Sequence, residues 1–384
     1  MKIDRLEVIP IRVPNRIPVK LSTLLLLHQD NVIVRLRAGA LTGIGETQPL
    51  PGFQGCAESQ VTIVPLIRER FAPLLVGRNP FDLERIVRDL EDAVTGNPYA
   101  KTAVVDALYD LMAKAYGVPL YQLLGGLYRD RIPVVWTIGI KDRREMAEEA
   151  RWAVGRGFRL LKLKVGALRP EDDVRNVEAV RDAVGPDIGL RLDANGAFSF
   201  DQALGLLRDL ARFKLDLVEQ PLAIHDLEGM ARLIRLAGVP VMPDESLHSL
   251  ASALELVTRK AASIFGMKLA KHGGIYYGQR IAAVAQAASI PIYPGGQPGT
   301  SVGSATAAHF YAATWNATLG GDFHVGPAGW LADDIVQHPL VVADGYALVP
   351  HGVGIGVDID EEKLEKYTVE TESSAASLGR INRI

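Results

Sequence analysis

At 384 residues the chain is long enough for a β/α barrel of about 250 residues plus a second domain of about 130. Hydrophobic residues make up 48% and charged residues 23%, ordinary for a soluble enzyme, and a net charge of −3 speaks against a nucleic-acid or anionic-membrane partner. The single cysteine, Cys56, excludes an intrachain disulfide and a thiolate zinc site; with no base beside it, Cys56 reads as a packing residue.

The first residues, Met1-Lys2-Ile3-Asp4-Arg5, carry charge where a signal peptide has its apolar core. The apolar stretch Leu21 to Leu27 is too short to cross a bilayer, so the expected location is the cytoplasm. Ile3 to Val13 and Asn31 to Ala38 alternate like strands, and Gly43-Ile44-Gly45-Glu46 ends a third. Helical spacing follows over Ala57 to Leu75, Leu83 to Val94 and Lys101 to Tyr116, the last stopping before Gly117-Val118-Pro119. Strands followed by helices predict an α+β domain over residues 1–125.

After Leu124-Gly125-Gly126 strands and helices alternate. Strands are predicted at Ile132 to Thr137, Phe158 to Lys164, Ile188 to Asp193, Leu215 to Glu219, Val239 to Pro243, Ile264 to Lys268 and Ile290 to Tyr293, each followed by a helix. Asn316 to Gly320 is a candidate eighth strand. Seven or eight such units favour a closed α/β barrel over residues 126–325. A C-terminal segment, 326–384, is expected to pack back on the first domain.

Five charged motifs end successive predicted strands: Lys162-Leu163-Lys164, Asp193-Ala194-Asn195, Glu219-Gln220-Pro221, Asp244-Glu245-Ser246 and Lys268-Leu269-Ala270-Lys271. From Lys164 the steps are 29, 26, 25 and 24 residues, about one strand-helix unit each. The spacing places them at the same end of the barrel, where barrel active sites lie. Three carboxylates converging there repel one another unless a hard divalent cation sits between them. Lys162 and Lys164 share strand parity and point to one face, amid leucines that mark a buried strand. Flanking lysines in such a place can move protons. Any single carboxylate fits a helix cap equally well, but three at matched positions do not.

Together these motifs, with His272-Gly273-Gly274 after the last lysine, resemble the enolase superfamily, specifically its muconate lactonizing enzyme subgroup. The resemblance extends over nearly the whole chain. Gly45-Glu46-Thr47, the loop through Pro51-Gly52-Phe53-Gln54-Gly55 and the stretch Arg16 to Leu21 resemble the family's capping loops, and Gly352 to Gly356 its closing tail. The resemblance implies a modified (β/α) TIM-type barrel under an N-terminal α+β capping domain. It implies one Mg²⁺, replaceable by Mn²⁺, on Asp193, Glu219 and Asp244. It implies proton transfer α to a substrate carboxylate, with Lys164 and Lys268 as acid/base and Lys162 as electrostatic helper keeping Lys164 partly neutral. A lysine or histidine base working beside Mg²⁺ is general to that superfamily. Asn195 is placed behind the metal, and Glu245 is the competing third ligand. Leu24, Phe53, Gln297 and Asp322 are the substrate-binding candidates.

Two departures bear on the substrate. The seventh-strand turn, Gly295-Gly296-Gln297-Pro298-Gly299-Thr300-Ser301, lacks the glutamate usual in muconate cycloisomerases. Asp322-Phe323-His324 holds half of the Asp-x-Asp with which dipeptide epimerases grip an ammonium group. Asp322 is therefore open between binding a substrate amine and capping a turn, and His324 and His272 read as packed or loop residues. The leading expectation is a muconate-type cycloisomerase. A racemase or epimerase of an α-substituted acid comes second and a dehydratase third. A Schiff-base aldolase and a non-catalytic barrel have no need of three acids in register. A small carboxylate substrate and a homo-oligomer are expected.

Overall fold

Alternation sets the first sheet: β1 (Arg5–Lys20), β2 (Leu25–Ala38) and β3 (Leu41–Thr47) pair antiparallel in that order. The computed structural model describes residues 1–20, 25–52, 55–326 and 329–370. β1 runs beyond the expected Val13. Pro14 and Pro18 look like breakers, but β1 is an edge strand, where a missing N–H costs no ladder bond, and the register shifts between Pro14 and Val19. The first helix starts at Gln60, three residues later than expected, because Ser59 and Thr62 close a capping box. Helices Leu83–Ala93 and Pro98–Tyr116 follow. Helix 98–116 lies so near β3 that a Cβ on Gly45 would meet the Ala103 carbonyl at 2.2 Å, which explains the glycines of that strand.

The barrel begins after β4 (Arg131–Pro133). Five parallel strands run in sequence order: β5 (Val135–Ile138), β6 (Leu160–Lys164), β7 (Gly189–Asp193), β8 (Leu217–Glu219) and β9 (Val241–Met242). β10 (Phe265–Met267) pairs in parallel with β11 (Ile292–Pro294). Ser263 N donates to Val241 O at 2.9 Å, joining the two sheets. The segment through Asp322 closes the ring: Asp322 N donates to Pro294 O at 2.9 Å, and Val135 N to Gly321 O at 2.8 Å. Eight staves therefore close. Helices follow the first seven; none follows the eighth among the described residues before Glu361. Along β6, Leu161 and Leu163 are fully buried against the helices, so Lys162 and Lys164 face the barrel axis.

The tail forms a hairpin, β12 (Val342–Ala343) with β13 (Tyr346–Leu348), which pairs with β4, and a helix, Glu361–Tyr367. It touches the first sheet through an Ile11–Thr368 bridge and an Arg35–Glu361 ion pair at 2.7 Å. The tail thus packs on the barrel's entry strand as well as on the first sheet. The fully buried Asp110 accepts from Ile44 N and Ile355 N and pairs with Lys114, tying β3, helix 98–116 and the tail together. Among the described residues no helix is long and apolar enough to cross a membrane.

Candidate active site

Backbone register brings the motif residues side by side. Lys164 is the Cα partner of Asp193, and Asp193 of Glu219, along β6, β7 and β8. Asp244 and Lys268 come one or two residues beyond β9 and β10. All three acids are almost fully buried. The Lys162 ammonium lies 3.0 Å from Glu219 Oε2, 2.8 Å from Asp322 Oδ2 and 3.8 Å from Asp193 Oδ2. Lys164 donates to Asp193 Oδ2 at 2.6 Å and to Asn195 Oδ1 at 2.7 Å. Across the barrel, Lys268 bonds Asp244 Oδ2.

The turns after the acids aim their neighbours. Asn195 (φ 45°) and Gln220 (φ 34°) adopt left-handed backbone, reversing the chain directly after Asp193 and Glu219. Asn195 thereby bridges the two halves of the site, accepting from Lys164 and donating from Nδ2 to Glu245 Oε1 at 3.0 Å. Gln220 accepts from Asp244 N at 3.0 Å and from Ser246 N at 3.1 Å, fixing the turn that presents Asp244.

At Lys162 and Lys268 burial and the neighbouring acids act in opposite directions. Burial disfavours the Lys162 ammonium, but Asp322 and Glu219 outweigh it and hold its pKa well above the usual lysine value. Burial likewise opposes Lys268, and Asp244 with Glu219 raises it. Nearby acids stabilise these charges more than burial penalises them. Burial, then repulsion from Asp193, pushes Glu219 up to about 8. Burial, then Asp244, pushes Glu245 up to about 7. Asp244 is itself held well below the carboxylate range, since Lys268 and Lys271 overcome its burial.

Among the described residues, no three acids or histidines are gathered as ligands around one point, because ammonium groups sit between the carboxylates. The donors nevertheless suit a hard cation in kind. They are buried oxygens on adjacent strand ends, the acids crowd one another, and Glu245 Oε2 is buried with no hydrogen-bond partner.

The candidate substrate residues divide. Leu24 and Phe53 lie outside the described residues. Gln297 lines the cavity, its Nε2 donating to Tyr99 OH at 2.8 Å and its Oε1 buried and unpartnered. Asp322 pairs with Lys162 rather than capping a turn, leaving Oδ1 without a partner. Leu50 and Pro298 close the cavity with Trp330, so the first domain reaches the barrel mouth. His324 also lines the cavity, tilted at 45° against Trp330 with ring centroids 4.7 Å apart; burial lowers it to about 4, so it forms an uncharged wall. His272 is buried and accepts from Lys268 N at 3.2 Å. Cys56 packs against the Glu58 carbonyl, its thiol pushed up by burial.

Sequence reasoning left two groups without a role. Lys271 is buried with its ammonium on Asp244 Oδ1 and the Asp244 carbonyl. Its signal was the spacing of three from Lys268, which turns it back toward the strand end. Thr137 is the Cα partner of Lys162 and lines the cavity with an unpartnered hydroxyl. Nothing in its sequence context distinguishes it from any strand threonine.

Comparison with known proteins decides the lineage. Residues 5–125 match the mandelate racemase/muconate lactonizing enzyme N-terminal domain, and residues 145–363 match the enolase C-terminal domain-like family. The chain belongs to the mandelate racemase/muconate lactonizing enzyme family. It is an isomerase of the enolase superfamily. A chloromuconate cycloisomerase of Pseudomonas putida is 36% identical over 96% of this chain and 99% of its own length. The crystal structure of muconate lactonizing enzyme from Pseudomonas fluorescens, complexed with muconolactone, superposes with a TM-score of 0.92 at 33% identity, over 96% of this chain and 99% of that one. An N-succinyl Arg/Lys racemase from Bacillus cereus superposes with a TM-score of 0.91 at 30% identity, with the same coverage of 96% and 99%. The family's enzymes are metal-dependent.

Proposed function

We propose that this enzyme is a Mg²⁺-dependent cycloisomerase of a muconate-type unsaturated dicarboxylate. The observation that carries the reading is the set of three ammonium groups, Lys162, Lys164 and Lys268, placed on facing staves around buried acids. The cycloisomerase names of the full-length relatives support it. Asp193, Glu219 and Asp244 would hold the cation, with Glu245 as the alternative to Asp244. When bound, the cation supplies positive charge for the substrate carboxylate.

The chain's own residues do the rest. Asp322 and Glu219 keep Lys162 charged, so its ammonium adds a fixed cation beside the reacting carboxylate. In the lactone-forming direction one carboxylate oxygen adds to a carbon–carbon double bond, and charge passes to the other carboxylate. The Nζ of Lys164 or Lys268 delivers the proton to the α carbon, and the reverse reaction removes it. Asn195 holds the Lys164 Nζ in place. Leu50, Pro298 and Trp330 limit water, which strengthens each of these interactions.

A racemase of an α-substituted acid is the second reading, favoured by lysines on opposite staves and by the likeness to the Bacillus cereus racemase. The test is direct. Incubation with cis,cis-muconate should consume the diene chromophore and yield lactone, and chelation should stop it. Solvent exchange of an α-hydrogen in N-acyl amino acids without any turnover of muconate would favour the second reading instead.

A further inference from the structure

The space beside the reacting lysine lies mostly outside the catalytic cavity. The ion-paired side chains leave that cavity only about 40 Å³, while a neighbouring chamber of about 470 Å³ opens beside it. The two share Thr137, Lys164, His324 and Trp330. Beyond this junction the chamber is walled by Ile17, Val19, Trp136 and Trp152. Trp136 and Trp152 meet at 60° with centroids 4.9 Å apart, forming an aromatic corner. Large apolar groups are left uncovered there: Ile17 is 67% exposed and Trp152 44%.

The charged groups of the chamber are engaged with protein. Glu149 accepts from Trp136 Nε1 at 2.9 Å and pairs with Lys141 at 2.6 Å, and Arg16 Nε donates to Leu331 O at 2.9 Å. The polar groups facing both spaces sit at the junction: the unpartnered Thr137 hydroxyl and the Lys164 ammonium, which keeps a third N–H beyond its bonds to Asp193 and Asn195. A ligand that fits both spaces is polar at one end and broad and apolar at the other.

We propose that the substrate carries an aryl or similarly broad apolar substituent, which lies against Trp136, Trp152 and Ile17 while its carboxylate-bearing end reaches Lys164. The proposal rests on the cycloisomerase reading for the reacting end and adds the class of substituent. A small unsubstituted diacid fills only the junction and leaves the aromatic corner wet.

The tryptophans give a readout that needs no turnover. Three of the four in the chain, Trp136, Trp152 and Trp330, line the chamber, and Trp315 lies outside it. In a Trp315→Phe background, emission is titrated with phenyl-substituted muconate and with cis,cis-muconate. The phenyl acid should quench more strongly and bind at least ten-fold tighter. Trp152→Ala and, separately, Ile17→Ala should erase that preference while leaving affinity for cis,cis-muconate unchanged. Equal affinity for the two acids, or a preference that survives both variants, would overturn the proposal. Turnover is scored apart. Tight quenching without turnover of either acid upholds the chamber and sinks the cycloisomerase reading; turnover of both without preference does the opposite.

Discussion

Lys271 holds Asp244 by two groups at once, the carboxylate Oδ1 and the main-chain carbonyl, with a third bond to Gly266 O at 3.0 Å. Lys268 engages the other carboxylate oxygen, Oδ2. One oxygen of Asp244 is thus committed to structure. Lys271→Met keeps the volume and removes the grip. It should lower Mn²⁺ affinity about 10- to 100-fold, as for other groups that orient a ligand. Mn²⁺ titration by calorimetry or electron paramagnetic resonance, with circular dichroism as the folding control, measures this. Unchanged affinity in a folded variant would remove Lys271 from the site.

Asp322 is read as the partner of Lys162 and not as a binder of substrate amines. Asp322→Asn should then lower kcat for an amine-free diacid by about ten-fold, since a weakened electrostatic partner acts on the developing charge. A variant that turns over the diacid normally and loses only affinity for α-amino substrates would return Asp322 to substrate binding.

Glu46 joins the two domains. Its carboxylate, 1% exposed, accepts from Asn31 Nδ2 at 2.8 Å, Thr300 N at 3.0 Å, Thr300 Oγ1 at 2.7 Å and Gly303 N at 2.8 Å, at the start of barrel helix Ser301–Ala313. Glu46→Ala strands those donors and should destabilise by about 3 kcal/mol or more, with Glu46→Gln less severe. Urea unfolding gives the values. A loss below about 1 kcal/mol for the alanine variant would contradict the latch.

Asp106 sets a pH window. It is buried on helix 98–116, accepts from Ile275 N at 2.9 Å, and burial pushes it up to about 7 from an ordinary 3.8. The folded value lies above the unfolded one, so folding takes up a proton in that interval. Stability from this group is complete below about pH 4 and falls as pH rises toward 7, by a few kcal/mol at most. Asp106→Asn retains an acceptor without the charge. Its Tm should exceed wild type at pH 8 and converge on it at pH 4; a lower Tm at pH 8 would show that helix 275–287 prefers the anion.

The barrel and its five motifs were legible because strand parity and unit length are one-dimensional properties. Lys162, Lys164, Asp193, Glu219, Asp244 and Lys268 share a strand end for that reason alone. What the sequence hid depends on partners far away in the chain. The extension of β1 past Pro14 follows from its edge position. Asp322 stood out through its half of an Asp-x-Asp, but its pairing with Lys162, 160 residues earlier, had no local signature. His324 became a cavity wall through Trp330, and the raised pKa values of Lys162 and Lys268 follow from acids on other strands. Capping boundaries shifted by a few residues where Ser59, not Ala57, had the side chain to start a helix.

The central claim is that Lys164 and Lys268 carry protons to and from the carbon α to a carboxylate. Lactone or diacid is incubated in D₂O with wild type, Lys164→Ala and Lys268→Ala, and deuterium at the α carbon is followed by NMR alongside kcat. Each variant should lose at least about 100-fold in kcat, the lower range for removing a general acid or base. Under cycloisomerisation one lysine should account for the exchange; a mirror pattern between enantiomers would mark racemisation. Wild-type exchange and turnover in both variants would contradict the site itself.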